Sequence, residues 1–208
     1  GGGTLNVTNY SKILDEIRSE GLLELGIHPN FNALLRNESK QENVETVIRD
    51  LKEIVPEAVS ARSHSLVTGS QINKYLYENG IRYVSNYLYQ PSTNMRIRCF
   101  KDYVGIVQIP FFFEDDVYLM NKIRPSITDY LEKYDVPLVF NFHPIHLFLN
   151  SENTYRYESA KKYYNQYNQL KTNRNTTTYG IADFFRELVT YAHEKGYIFT
   201  KIKDGLWE

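Results

Sequence analysis

The chain has 208 residues, 42% hydrophobic and 24% charged, with a formal net charge of −1. That composition suits one domain with a sizeable core, and near-neutral charge gives no electrostatic reason to expect nucleic acid or an anionic membrane surface as partner. One cysteine, Cys99, rules out an intrachain disulfide, and no apolar run approaches the roughly 18 to 20 residues that span a bilayer. The opening Gly1-Gly2-Gly3 resembles neither a signal peptide nor a helix start, so the expected location is the cytoplasm.

Strand-like and helix-like segments alternate along the chain. Thr4 to Val7 reads as a short strand. Ser11 to Glu20 places Ile13, Leu14 and Ile17 at helical spacing before the stop signal Gly21. Leu22 to His28 reads as a strand, and Glu42 to Val55 is the clearest amphipathic helix, ended by Pro56. Ala58 to Arg62 is a strand, Gly69 to Asn79 a helix closed by Gly80, and Ile81 to Val84 a short strand. A polar loop follows over Tyr87 to Arg96, then two strands within Arg96 to Pro110 with a hairpin turn near Lys101-Asp102. Further on come a helix over Ser126 to Tyr134 and a strand over Pro137 to Phe142. Ser159 to Leu170 reads as a solvated helix, Ile181 to Lys195 as a strong one, and Tyr197 to Ile202 as a last strand. With no repeat and no linker, the expectation is one domain over 1–208. Its fold is α/β: an irregular, incomplete (β/α) barrel of about seven parallel strands, since a full eight-stranded barrel takes about 250 residues.

Four of the five histidines follow apolar, strand-like runs: His28, His64, His143 and His146. Parallel strands point their C-terminal ends to one face, where active sites are built. His28, between Ile27 and Pro29, reads as a metal ligand, a general acid or base, or a turn histidine capping a carbonyl. Arg62 and His64 share one side of an extended segment, so the guanidinium can orient a carboxylate there or serve in a structural ion pair. His143 is favoured over His146 as the functional member of its pair, and His193 reads as a surface residue. Glu114, Asp115 and Asp116 form an acidic cluster that is a solvated turn or part of a site. Imidazole and carboxylate together suit a hydrolytic divalent metal. Glycine-rich phosphate loops and a Gly-x-Ser-x-Gly elbow are absent, and nucleophilic serine or cysteine chemistry is not expected. The 18 tyrosines suit sugar stacking or are compositional bias.

Together, Glu24-Leu25-Gly26-Ile27-His28-Pro29-Asn30-Phe31, Arg62-Ser63-His64-Ser65, Phe111-Phe112-Phe113-Glu114-Asp115-Asp116 and Asn141-Phe142-His143-Pro144 resemble the polysaccharide deacetylase (NodB-homology, carbohydrate esterase) superfamily. The likeness is to its divergent branch from bacterial O-antigen and capsule clusters, over about Thr4 to Asn150. The resemblance implies a distorted barrel with a divalent metal, zinc first, at the strand ends. It also implies water attack on the acetyl carbonyl of an N-acetylated sugar. By position, His28 matches a metal histidine, Arg62 the arginine of the third motif and His143 the late-strand acid. Asp116 or Asp115 falls near the fourth motif. The family's second histidine is missing beside His28, and His64 is expected to supply that nitrogen. The family's aspartate pair belongs upstream of Thr4-Leu5-Asn6-Val7, so the barrel is expected to lack its first strand in this sequence. The expected site is therefore His28 and His64 on the metal, and Asp116, His143 and Arg62 in catalysis. Asn30, Glu114 and Asp115 are expected to meet a sugar or oligosaccharide. The alternative reading is a glycan-binding or scaffold protein on a degenerate deacetylase barrel; a two-metal phosphoesterase is a third.

Overall fold

The computed structural model describes residues 10–36, 38, 43–89, 98–122, 126–132, 134, 136–205 and 207. The expected strand over Thr4 to Val7 and most of the loop ending at Arg96 lie outside these residues. The chain divides into two compact units. One comprises Asn6–Tyr87, Met95–Pro110 and Thr200–Glu208; the other comprises Gly1–Leu5, Leu88–Asn94 and Phe111–Phe199.

The first unit begins with α1 (Ser11–Glu20), which ends where Gly21 takes a left-handed φ of 65°. Arg18 of this helix holds Glu57 at 2.5 Å and the Ile54 carbonyl at 3.1 Å. After the short α2 (Asn32–Leu35) comes α3 (Val44–Ile54). Asn43 caps α3 by accepting from the Thr46 N–H, while Thr46 Oγ1 accepts from the Asn43 N–H. That reciprocal pair satisfies two amides the helix would otherwise leave open. Then follow β1 (Ser60–Ala61), α4 (Ser70–Glu78), β2 (Tyr83–Leu88), β3 (Phe100–Lys101) and β4 (Val107–Phe111). The sheet runs β1-β2-β4-β3. β1 and β2 are parallel, and α4 between them completes a βαβ crossover. Ile27 bridges Ala61 in parallel, making a second crossover through α2 and α3. Beneath the strands, Ile27, Phe31, Ile48, Ala58, Leu76, Ile81 and Val84 form the core with Ile106.

The second unit holds β5 (Phe113–Glu114), α5 (Asp115–Asn121), α6 (Ile127–Leu131) and β6 (Phe140–Asn141). α7 (Pro144–Leu149), α8 (Thr154–Ala160), α9 (Tyr167–Thr172) and α10 (Ile181–Glu194) follow. β5 and β6 pair in parallel, Phe113 opposite Phe140 and Glu114 opposite Asn141. Phe113 is fully buried, with the rings of Tyr118, Phe142 and Phe184 at 4.7 to 4.9 Å.

The mixed α/β class agrees with the sequence, and several finer expectations do not. Among the described residues the strands number six, in a four-stranded and a two-stranded sheet, rather than about seven in one barrel. The β3–β4 pair is antiparallel, as the expected hairpin requires and unlike the parallel strands of the expected barrel; the turn from Asp102 to Ile106 reverses the chain within a few residues. Asp102 Oδ1 accepts from three successive backbone amides there, which locks that reversal. The expected strand Leu22 to His28 reduces to the Ile27 bridge, with Leu22 and Leu23 exposed. Tyr197 to Ile202 has suitable residues but no partner strand among the described residues. The single helix over Ser159 to Leu170 is instead the end of α8, a 3-10 turn over Lys161–Tyr163 and the start of α9.

Candidate active site

In the first unit, two adjacent parallel chain segments end in histidine-bearing turns. The Ile27 N–H donates to the Ser60 carbonyl, the Arg62 N–H to Ile27 and the His64 N–H to Pro29, so the turns advance in step. Ile27 and Pro29 are buried and His28 between them is exposed, as alternation along an extended segment requires. The His28 and His64 rings meet edge to face with centroids 5.6 Å apart. Buried Ser63 anchors the His64 turn, its N–H donating to Asn86 Oδ1 at 2.9 Å. Immediately after His64, Ser65 and Leu66 both take positive φ, near 55°. Non-glycine residues adopt that conformation at a cost and cluster at ligand-handling sites. Arg62 donates from Nε to the Ser85 carbonyl at 3.0 Å and from Nη2 to Ser85 Oγ at 3.3 Å. Asn30 is exposed, and its Oδ1 accepts from the Asn32 N–H at the start of α2.

In the second unit the acidic triplet is not a solvated turn. Glu114 ends β5 and accepts a 3.3 Å bond from Asn141 Nδ2 of β6. Asp115 and Asp116 open α5, where carboxylates are favoured by the unpaired amides of a helix start. His143 stands immediately before α7, whose first residue is Pro144, a position proline suits. Because β5 and β6 are in register, both pairs of residues leave the sheet side by side. Asp115, with 0% exposure, accepts from the His143 N–H at 2.7 Å and contacts His143 Nδ1 at 2.5 Å. Asp116, with its side chain 47% exposed, contacts His146 Nε2 at 2.7 Å and lies 3.7 Å from His143 Nε2. His146 is buried; its Nδ1 meets Ser151 Oγ at 3.0 Å, and its ring lies 4.9 Å from that of Tyr157.

The electrostatics follow from these contacts. The Asp115 hydrogen bond raises the pKa of His143 against the opposing effect of burial, helped by the charges of Asp115, Asp116 and Glu114. The His146 hydrogen bond holds Asp116 below the ordinary carboxylate range, again against burial, with His143 and Lys161 adding to the effect. The arrangement is a cationic-leaning imidazole fixed by a buried carboxylate, beside an ionised, accessible carboxylate. That is the equipment of a general acid and a general base.

Asp115, Asp116, His143 and His146 can each bring one donor atom within 4.8 Å of the others, the spacing of a loose metal group. Their closest N···O contacts, 2.5 and 2.7 Å, are nevertheless hydrogen-bond distances. Two donors on one tetrahedral zinc lie about 3.3 Å apart, from bond lengths of about 2.0 to 2.1 Å. The four residues therefore form two Asp–His pairs. His28 and His64 are two adjacent imidazoles, the donor type zinc takes, and fit an ion in chemistry.

Thus each unit gathers part of the expected site, His28 with His64 in one and Asp115, Asp116 and His143 in the other. Asp115, expected to meet substrate, is fully buried against His143. His146 and Ser151 carry more of the site than the sequence suggested. The readable signal was His143 and His146 spaced three apart, with Pro144 between them starting a helix.

A family model described as WbmS-like polysaccharide deacetylase matches residues 2–161. The chain belongs to that family. Among solved structures it is similar to a Bordetella bronchiseptica protein, WbmS, described as a candidate polysaccharide deacetylase involved in O-antigen biosynthesis. The two share 29% identity with a TM-score of 0.77, over 92% of this chain and 76% of that one. A search of the curated proteins returns no significant match.

Proposed function

We propose that the protein is a metal-dependent hydrolase that removes the acetyl group from an N-acetylated sugar during bacterial surface-polysaccharide assembly in the cytoplasm. The observation that carries this reading is the Asp115–His143 pair, with Asp116 beside it, at the ends of paired parallel strands. Membership of the deacetylase family supports the same chemistry.

His28 and His64 are the proposed holders of a divalent ion, zinc first. Such an ion polarises the acyl carbonyl and brings the pKa of water toward neutrality. The protein's own groups do the proton work. Asp115 keeps the proton of His143 on Nδ1 and points Nε2 outward. His143 then gives its Nε2 proton to the departing amine. Asp116, ionised at neutral pH, accepts the proton of the attacking water. Arg62 orients a carboxylate or offsets developing negative charge, and Asn30 and Glu114 are the proposed sugar contacts. Asp115 acts as a positioning residue.

Acetate release from N-acetylated sugars, measured with added zinc, tests the reading. We expect release by the native protein and its loss in His143→Ala. Glycan binding without any acetate release would instead favour the scaffold reading.

A further inference from the structure

β2 carries a residue that its own strand does not call for. Asn86 is 4% exposed in a strand flanked by β1 and β4, where asparagine is disfavoured and a buried amide needs partners. Its side chain is spent on the turn that carries His64. Asn86 Oδ1 accepts from the Ser63 N–H at 2.9 Å. Asn86 Nδ2 donates to Ser63 Oγ at 3.3 Å and to the Val67 carbonyl at 3.4 Å. Ser63 and Val67 are the two stems of the 3-10 turn His64–Leu66. One amide therefore closes that turn from both sides.

The turn needs closing. Ser65 and Leu66 take φ of 55° and 56°, the left-handed region, without a glycine at either position. Within the turn the Leu66 N–H donates to the Ser63 carbonyl at 3.0 Å, and the Val67 N–H reaches the His64 carbonyl at 3.4 Å. Backbone of this kind persists only where its surroundings over-determine it. The His64 N–H is held by the Pro29 carbonyl at 2.9 Å, in the turn that carries His28. His64 thus stands between two anchors, Pro29 and Asn86. Released from Asn86, Ser65 and Leu66 can return to ordinary φ values, and the neighbouring His64 side chain turns with them.

We propose that Asn86 is a positioning residue for metal binding, clamping a strained turn so that the His64 imidazole already lies beside that of His28 when an ion binds. The inference rests on the assignment of His28 and His64 as the holders of that ion. A ligand held in place beforehand loses little freedom on binding. Removal of such outer partners typically weakens metal affinity by about 10- to 100-fold.

Two measurements on the full-length native protein, Asn86→Ala and Asn86→Ala combined with Ser65→Gly test the clamp. In zinc-free protein, NMR reads the through-space contact between the His28 and His64 rings. The contact is expected in the native protein and lost in Asn86→Ala. It returns with Ser65→Gly, because glycine takes the left-handed region without steric cost. Equilibrium dialysis with zinc alone is expected to show binding about tenfold or more weaker in Asn86→Ala. Ser65→Gly should recover about threefold or more of that loss. Asn43→Ala weakens α3 instead and keeps native zinc affinity, which separates the clamp from a general loss of stability. Should Asn86→Ala fail to fold, Ser63→Ala removes only the hydroxyl that Asn86 Nδ2 reaches and should weaken zinc about threefold. A ring contact absent from the native protein or kept in Asn86→Ala would overturn the clamp. So would zinc affinity unchanged in Asn86→Ala or, where that variant does not fold, in Ser63→Ala, and so would a loss that Ser65→Gly fails to recover. If the ring contact behaves as stated but the native protein binds no zinc, the clamp on His64 stands and the metal assignment falls.

Discussion

Asp115 and Asp116 are neighbours in sequence, yet the fold gives them opposite surroundings. Asp115 is sealed beneath His143, and Asp116 is half open beside His146. The first is built to hold, the second to exchange a proton. The raised pKa of His143 keeps its acid form populated as pH rises above the ordinary imidazole value of about 6.5. That form, with whatever stability it adds, is lost as pH climbs through the raised value. Asp115→Asn removes the main cause of the rise. The alkaline limb of the kcat profile should therefore move to lower pH, followed by the His143 ring signals in an NMR titration. An unmoved limb would dissociate His143 from acid catalysis. Asp116 has the opposite sign. His146 holds its pKa down, so stabilisation of its ionised form is lost as pH falls through that lowered value. Ser151→Ala loosens His146 and should move the acidic limb of the same profile upward, while thermal unfolding monitors the buried side of the change.

At the scale of elements, α3 depends on its cap. Asn43→Ala should cost about 1 kcal/mol in urea unfolding, with no change in zinc affinity. Gly180→Ala forces a methyl group against the Asn150 carbonyl, where backbone cannot retreat easily, and should cost about 1 to 3 kcal/mol. What the sequence made legible here follows its periodicity. α1, α3, α4 and α10 carry apolar residues at helical spacing between recognisable stops, and all four stand within a residue or two of expectation. Two helices were hidden by their own first residues. α5 opens on Asp115 and Asp116, which read as a loop because acids are common there, although a helix start also attracts them. α7 opens on Pro144, which suits the first helical position because its missing N–H would be unpaired there in any case. Strands were harder to bound, since hydrophobic runs exceed the two residues that find partners in each of β1, β3, β5 and β6. Nothing in the residues Tyr197 to Ile202 signals that no strand among the described residues lies beside them. The pairing of His143 with Asp115 depends on the register of β5 with β6, a long-range fact that spacing along the chain does not encode.

At the scale of the whole molecule, short parallel segments in each unit end in turns that carry histidine or carboxylate side chains. No helix among the described residues is long and apolar enough to cross a membrane. Zinc is expected to bind the native protein and to be lost from His28→Ala and from His64→Ala. Equilibrium dialysis with metal analysis reads this without any enzymatic assay. Retention of zinc by both variants, and its loss from a His146→Ala control, would move the ion to the Asp–His cluster. The central claim is hydrolysis of an acetyl group with His143 as the acid, and acetate release from N-acetylglucosamine oligomers by the zinc-supplemented protein tests it most directly. The account predicts steady release by the native chain, abolished in His143→Ala and reduced with an altered pH profile in Asp115→Asn. Equal release by the native and His143→Ala proteins would contradict it.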